Sequence, residues 1–308
     1  MVDILMATYN GEMYVSQQIE SIVNQTYKEW ILYIRDDGSK DKTISILEKY
    51  KNMYPEKIFI IRDDKRGLGA KMNFAELMKY STNDYCMFAD QDDIWLEDKI
   101  EKSMNEMNKM EKKFGKNRPL LVHTNLKVVD KELNVIDNSF WRYQNLNPDN
   151  KKLNYLLVQN NITGCTMLMN KELIKLSIDI PVKCIMHDWW IGLVAAAKGE
   201  ISYIEYPTIL YRQHGNNEVG AHKYNSKDYF KQKVNNINNI KESINNGFIQ
   251  AQCFYEKFND IVDIDNKVLL EKFLNLKNIN LISRKISIIN NKFYKQGFTR
   301  KISYLLFI

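Results

Sequence analysis

Three carboxylates, Asp90, Asp92 and Asp93, follow directly on the apolar run Tyr85-Cys86-Met87-Phe88-Ala89. That run has no polar break and reads as a short buried strand. Carboxylates released together at a strand's C-terminal end repel one another, and in a low-dielectric cleft at least one takes up a proton unless a cation is present. Mg²⁺ or Mn²⁺ meets that need, because a hard divalent ion prefers oxygen ligands and is commonly shared with substrate phosphates. The cluster reads as a holder for a metal and a diphosphate at the carboxyl edge of a sheet. An Asp-rich turn alone carries no such meaning, so the elements around it decide.

The first 110 residues alternate strand and helix. Strands are expected at residues 2–7, 30–35, 57–62 and 85–89. A helix at 14–25 places Val15, Ile19, Ile22 and Val23 on one face, and Asp41 is the expected N-cap of a helix carrying Ile44, Ile46 and Leu47. A further helix through Phe74 and Leu77 follows the loop 63–69. This pattern predicts an α/β fold with a mainly parallel sheet and ligands outside the strands' carboxyl ends. Thr8-Tyr9-Asn10, Asp36-Asp37 and the Asp90 cluster would then line one crevice. Beyond a charged helix at 97–113, strands are expected at 120–129, 162–169 and 201–203. Residues 137–150 read as a loop or flap, and a helix runs from His187 through Ala197. From about residue 224 the composition shifts to Asn, Lys and Ile, with Phe230, Val234, Ile237, Ile240 and Ile244 at helical spacing. The expected organisation is a nucleotide-binding domain over 1–220 and a helical extension over 221–308.

A chain of 308 residues, 44% hydrophobic, suits one large domain with an extension. Its net charge of +6 comes from plentiful residues of both signs, which argues against a dedicated nucleic-acid binder. Cys86, Cys165, Cys184 and Cys253 are far apart, as expected of a reduced, cytoplasmic protein, and no Cys/His spacing fits zinc. There is no run of about 18 apolar residues to cross a membrane, and the chain opens on a strand rather than a signal peptide.

Ala7-Thr8-Tyr9-Asn10, the segment Ser21-Ile22-Val23-Asn24-Gln25-Thr26-Tyr27, Asp36-Asp37-Gly38-Ser39 and Asp90-Gln91-Asp92-Asp93 together resemble the bacterial family 2 glycosyltransferases. With Ile94-Trp95 and the later Tyr211-Arg212-Gln213-His214-Gly215-Asn216-Asn217, they look most like rhamnosyltransferases of cell-wall and capsule assembly. The resemblance spans roughly residues 2–220. It implies an inverting, metal-dependent enzyme of GT-A fold with Mn²⁺ or Mg²⁺ as cofactor and a nucleotide-diphosphate sugar as donor. dTDP-L-rhamnose is the first choice of donor and a UDP-hexose the alternative; the acceptor is a growing saccharide on a lipid carrier. The resemblance also assigns roles. Tyr9 would stack on the base with the Ala7 backbone nearby, and Asp37 would accept the base N3–H. Lys71 and Asn73 would approach ribose or phosphates, although the segment departs from the family's commoner Ala-Arg-Asn. Asp92 would ligate the metal, with Asp90 next to it at the metal or ribose. Arg212 would neutralise leaving-group phosphate, and His214 would complete the metal shell or bind diphosphate.

Plainer readings stay open for several of these: packing for Tyr9, turn structure for Asp36, a helix cap for Asp93, solvated surface for Lys71 and Asn73.

An inverting transfer needs a carboxylate to take the acceptor hydroxyl's proton as it attacks. Asp188 is the only acidic residue between Asp179 and Glu200. Trp189 and Trp190, with His187, would form a platform for the acceptor sugar and partly desolvate that carboxylate; a plain helix N-cap is the alternative. In the tail, Leu281, Ile282, Ile286, Ile288, Ile289, Phe293, Leu305 and Leu306 alternate with basic residues. Such helices pack on a second subunit or lie on an anionic membrane. A nucleotidyltransferase would also use paired aspartates, but it usually carries a Gly-rich basic loop after the first strand, where residues 8–14 hold one glycine and no basic residue. A non-catalytic binding partner is disfavoured by intact Asp37, Asp92 and Asp188.

Overall fold

The computed structural model describes residues 1–215, 220, 221, 223, 224 and 237–308. Asn216, Asn217, His222, Phe230 and Val234 lie outside the described residues. The strands are β1 (Val2–Thr8), β2 (Trp30–Asp36), β3 (Ile58–Ile61), β4 (Tyr85–Asp90), β5 (Ile94–Trp95), β6 (Leu120–Val129), β7 (Val135–Asp137), β8 (Leu168–Asn170) and β9 (Glu200–Arg212). They form one sheet in the order β3-β2-β1-β4-β8-β6-β9-β5, with β7 on β6. β1 through β4 pair in parallel, as the strand–helix alternation predicts. β1 lies inside the sheet and is buried almost throughout, which explains its continuous apolar run. Its one charge, Asp3, is fully buried and accepts hydrogen bonds from Ser81, Thr82 and Asn83, tying the turn before β4 to β1.

The second half of the sheet is mixed. β8 runs antiparallel to both β4 and β6, β6 and β9 are parallel, and β5 is antiparallel to β9. Three expectations are corrected here. Residues 162–169 do not form one strand: a 3₁₀ turn at Gly164–Thr166 precedes the short β8. β9 is 13 residues long and carries Tyr211 and Arg212 within it. Its register jumps from Ile204 to Pro207 opposite Thr124 and Asn125, so a proline at an irregularity masked the continuation. Asp41 is not the N-cap either. The helix Thr43–Met53 has Lys42 at that position, while Asp41 accepts from the Thr43 N–H and hydroxyl and from the Glu12 N–H. Within 137–150 the chain forms a short helix, Phe140–Gln144.

Val15, Ile19 and Ile22 of the helix Val15–Val23 are fully buried with Val2, Ile4, Met6, Leu32 and Ile34 in one core. Each such side chain contributes about 1.5–3 kcal/mol by leaving water.

The chain divides into two units. The first comprises Met1–Phe140, Thr163–Ile180 and Gly199–Ala221 and holds the whole sheet. The second comprises Trp141–Ile162, Pro181–Lys198 and His222–Ile308. The C-terminal helices, Ile237–Phe258, Ile264–Leu274, Leu281–Asn291 and Phe298–Phe307, thus share a unit with the helix His187–Lys198. Its core is aromatic: Trp190 meets Phe254 and Phe258, while Phe273 lies between Phe248 and Phe293. Among the described residues, no helix is long and apolar enough to cross a membrane.

Candidate active site

β1, β2 and β4 end side by side, with Thr8 opposite Asp36 and Ala7 opposite both Arg35 and Asp90. Tyr9, Asp37 and Gln91 therefore leave the sheet along one edge. The Gln91 side-chain amide bridges two of these ends: its Oε1 accepts from the Tyr9 N–H and its Nε2 donates to the Tyr9 C=O, both at 2.9 Å. Tyr9 itself is 53% exposed, presenting a ring at the edge. Asp36 accepts from the Gly38 and Ser39 N–H groups and from the Ser39 and Thr8 hydroxyls, so it closes the turn after β2.

Asp37 is buried, and its two oxygens accept the N–H groups of Leu68 (3.0 Å) and Gly69 (2.8 Å) at the start of the helix Gly69–Met78. A helix start favours an anion, and here a carboxylate of the chain takes that place. Gly69 has a φ of +70°, a conformation that side chains resist. Beneath Asp37 lies Arg35, 1% exposed. Its Nε and Nη2 donate to Asp63 at 2.9 and 2.8 Å, Nη1 to Asn73 at 2.9 Å and to Asp37 at 3.4 Å, and Nη2 to the Lys65 C=O at 2.7 Å. Asn73 returns a bond from Nδ2 to the Arg35 C=O. Asn73 is therefore a buried brace for Arg35, a correction to its expected place at the ribose or phosphates. Lys71, in the helix's first turn, is half-buried.

The Asp90 cluster meets the end of β9. Asp92 Oδ2 lies 2.6 Å from His214 Nε2, and neither side chain is fully buried. Arg212, 3% exposed, donates from Nε to the Asp92 C=O, from Nη1 to the Lys131 C=O and from Nη2 to Gln17 Oε1. Its backbone N–H donates to Asp93 Oδ1 at 3.1 Å. The Tyr14 ring stacks with His214 at 4.7 Å and lies 4.6 Å from the Arg212 guanidinium. Arg212 is thus corrected from a phosphate ligand to a buried strut that fixes Asp92 and the approach to His214.

Asp93 is fully buried rather than a helix cap. Burial first, then the neighbouring Asp92 and Asp90 carboxylates, push its pKa well above the carboxylate range. One ligand atom each from Asp90, Asp93 and Cys165 lies within 4.8 Å of the others. Burial likewise raises the Cys165 thiol well above its usual value and lowers Lys99, whose ammonium stacks on Trp95, to about 8. Sequence reasoning missed Arg35, Tyr14, Gln17, Lys99 and Cys165. For Arg35 a signal existed: an arginine inside an apolar strand, next to two aspartates, needs partners.

In the second unit Asp188 stands in the first turn of the helix His187–Lys198 and is half-buried. Its Oδ1 accepts the Trp189 N–H at 2.5 Å. Trp189, also half-buried, donates its indole N–H to the Leu156 C=O. Trp190 is fully buried among Phe254 and Phe258, which corrects its expected role as an acceptor platform: a helix start put it one step around, facing the core. His187 is buried too, and burial lowers its pKa to about 3.

The family model for glycosyl transferase family 2 matches residues 3–188. A dTDP-rhamnosyl transferase of Shigella flexneri is 31% identical over 236 residues, 70% of this chain and 74% of that one. Among solved structures, Staphylococcus aureus TarS in complex with UDP aligns with a TM-score of 0.56 at 15% identity, covering 93% of this chain and 78% of that chain. A Pyrobaculum calidifontis mannosyltransferase in complex with GDP-Man and Mn²⁺ gives 0.58 at 13% identity, covering 94% and 72%. These likenesses show the GT-A fold. The family model and the rhamnosyl transferase show the rest: this chain belongs to glycosyl transferase family 2, enzymes that use nucleotide-sugar donors.

Proposed function

We propose that this enzyme moves L-rhamnose from dTDP-L-rhamnose to a hydroxyl of a growing, lipid-carried saccharide, with inversion at the anomeric carbon. The observation that carries the chemistry is the meeting of Asp92 and His214 at the strand edge that also bears Asp90. At 2.6 Å, His214 Nε2 donates a proton to the Asp92 carboxylate in one imidazole tautomer and turns a lone pair toward the same point in the other. A divalent ion with oxygen and imidazole preference, such as Mn²⁺, fits these two ligand atoms. Asp92, His214 and Asp90 would hold that ion, which would offset charge growing on the leaving nucleotide diphosphate.

The remaining roles belong to the chain alone. Tyr9 offers its exposed ring to the base. Asp37 keeps lone pairs beyond its two backbone bonds, and one accepts the base N3–H. The Ala7 backbone and Lys71 stand at the donor, and the Trp189 ring meets the acceptor sugar. Asp188 takes the acceptor hydroxyl's proton as the new bond forms.

The donor rests on the identity with the Shigella flexneri rhamnosyl transferase. A UDP-hexose is the second reading, favoured by the UDP seen in TarS, a solved structure of the same fold. The hexose-transferring family decides against a nucleotidyltransferase. The test is turnover on a panel of dTDP-L-rhamnose and UDP-hexoses, with and without chelator, followed by assignment of the product anomer. Turnover with UDP-sugars and none with dTDP-L-rhamnose would move the donor to the second reading. A retained anomeric configuration would refute the role of Asp188, and full turnover in chelator would remove the metal.

A further inference from the structure

Residues 272–308 hold eight lysines or arginines and no aspartate or glutamate. The two last helices also carry apolar side chains that stay exposed among the described residues. On Leu281–Asn291, Ile282 is 74% exposed, and Leu281, Ile286 and Ile289 are exposed beside it. At 100° per residue, Ile282, Ile286 and Ile289 fall within a 60° arc, with exposed Lys285 at its margin. On Phe298–Phe307, Phe298 (75% exposed), Ile302 and Leu306 follow at four-residue spacing and form one stripe. Inward faces are accounted for separately: Ile288, Phe293 and Tyr304 are buried. Arg284 donates to the Ile308 and Ile279 carbonyls and Arg300 to those of Gln296, Gln144 and Asn145, so these two arginines hold the helices in place. Lys285 and Lys292 remain exposed.

We propose that these two helices form a docking surface for an anionic lipid bilayer. Exposed isoleucine, leucine and phenylalanine with lysines at their margin match an interface where acyl chains lie below and negative headgroups above. Charge decides against a second copy of the chain. A two-fold interface places the same patch on both subunits, so lysines would face lysines with no carboxylate in the segment to pair them. Nucleic acid would answer the charge and leave the apolar stripes uncovered. The inference goes beyond the donor and acceptor reading and holds whatever sugar is moved.

Co-sedimentation of the full chain with vesicles tests it, using equimolar phosphatidylglycerol and phosphatidylcholine against phosphatidylcholine alone. Binding is expected to the anionic vesicles at low salt and to weaken at 0.5 M salt, where screening falls to a few ångströms (roughly 4 Å). Lys285→Gln with Lys292→Gln should lower the partition coefficient about 25-fold, roughly fivefold for each charge. Ile282→Asp with Phe298→Asp should abolish binding with an unchanged circular dichroism spectrum. Rhamnose transfer to a water-soluble acceptor, read on the same variants, should not move; its absence in the wild type would count against the donor reading and leave this one standing. No binding at low salt, equal binding to both vesicles, or a concentration-dependent dimer that the aspartate variant dissociates would each overturn the proposal.

Discussion

Replacing Arg35 by leucine tests whether the nucleotide edge of the sheet is braced from below. The substitution removes two bonds to Asp63, one each to Asp37 and Asn73, and one to the Lys65 carbonyl. Removing one partner of a buried pair costs about 3–5 kcal/mol, chiefly because the other charge is left uncompensated. Asp63 is 21% exposed and can regain water, and Asp37 keeps its two backbone donors, so the loss should fall near the lower end, about 3 kcal/mol. In wild type the Arg35 hydrogen bonds hold the Asp63 carboxyl below its ordinary value. A depressed folded-state pKa contributes stability that is complete above the unfolded value of about 3.9 and is lost as pH falls through the folded one. The gap between wild type and Arg35→Leu should therefore be full at pH 7 and shrink below about pH 4. Urea unfolding followed by circular dichroism at both pH values measures it. A gap under about 1 kcal/mol at pH 7, or one equally wide at pH 3, would refute the brace. Because Asp37 is set by the same network, donor KM should rise while kcat changes little.

Four further outcomes are expected. Asp92→Asn should nearly abolish transfer with thermal stability intact, as measured by product formation and a melting curve; full activity would remove Asp92 from the reaction. Asp188→Asn should lower kcat by roughly 10²–10⁴ with donor affinity little changed, the range of a positioned general base, as steady-state kinetics would show. Trp190→Ala should cost about 3–5 kcal/mol of stability in denaturant titration, and a folded, fully stable variant with raised acceptor KM would restore the platform role. His187 stays neutral in the folded chain down to about pH 3, whereas the unfolded chain takes up its proton near 6.5. Stability should thus fall as pH drops from 6.5, by up to about 1.4 kcal/mol per pH unit, and His187→Gln should flatten that slope in melting curves.

The parallel half of the sheet was legible because each strand there is a buried apolar run closed by a polar cluster, as Ile4 to Met6 before Thr8 and Met87 to Ala89 before Asp90 show. The mixed half was not. β8 is three residues long, β9 crosses Pro207 at an irregularity, and neither has a period to read. Asp36, Asp37 and Asp92 could be picked out by type and spacing. The resemblance already pairs His214 with Asp92, whereas Arg35 with Asp63 could not be picked out, because that pair is joined only by folding. Trp190 shows the opposite failure: beside a carboxylate, a tryptophan looks like a sugar platform, and only its helical phase reveals the core.

The Gln91 amide offers a different kind of constraint. By accepting and donating to Tyr9 it imitates a peptide group, so the pairing of β1 with β4 continues for one rung after the strands themselves have stopped. A counterfeit rung needs room, and Gly11 supplies it: a methyl group there would sit 2.3 Å from Gln91 Oε1. The two positions therefore cannot change independently. Gly11→Ala evicts the amide, and Gln91→Glu turns the one donor facing the Tyr9 carbonyl into an acceptor. Either change should unzip the edge at the residue that presents the aromatic ring, so the setting of the Tyr9 ring depends on a glycine two positions further along the chain.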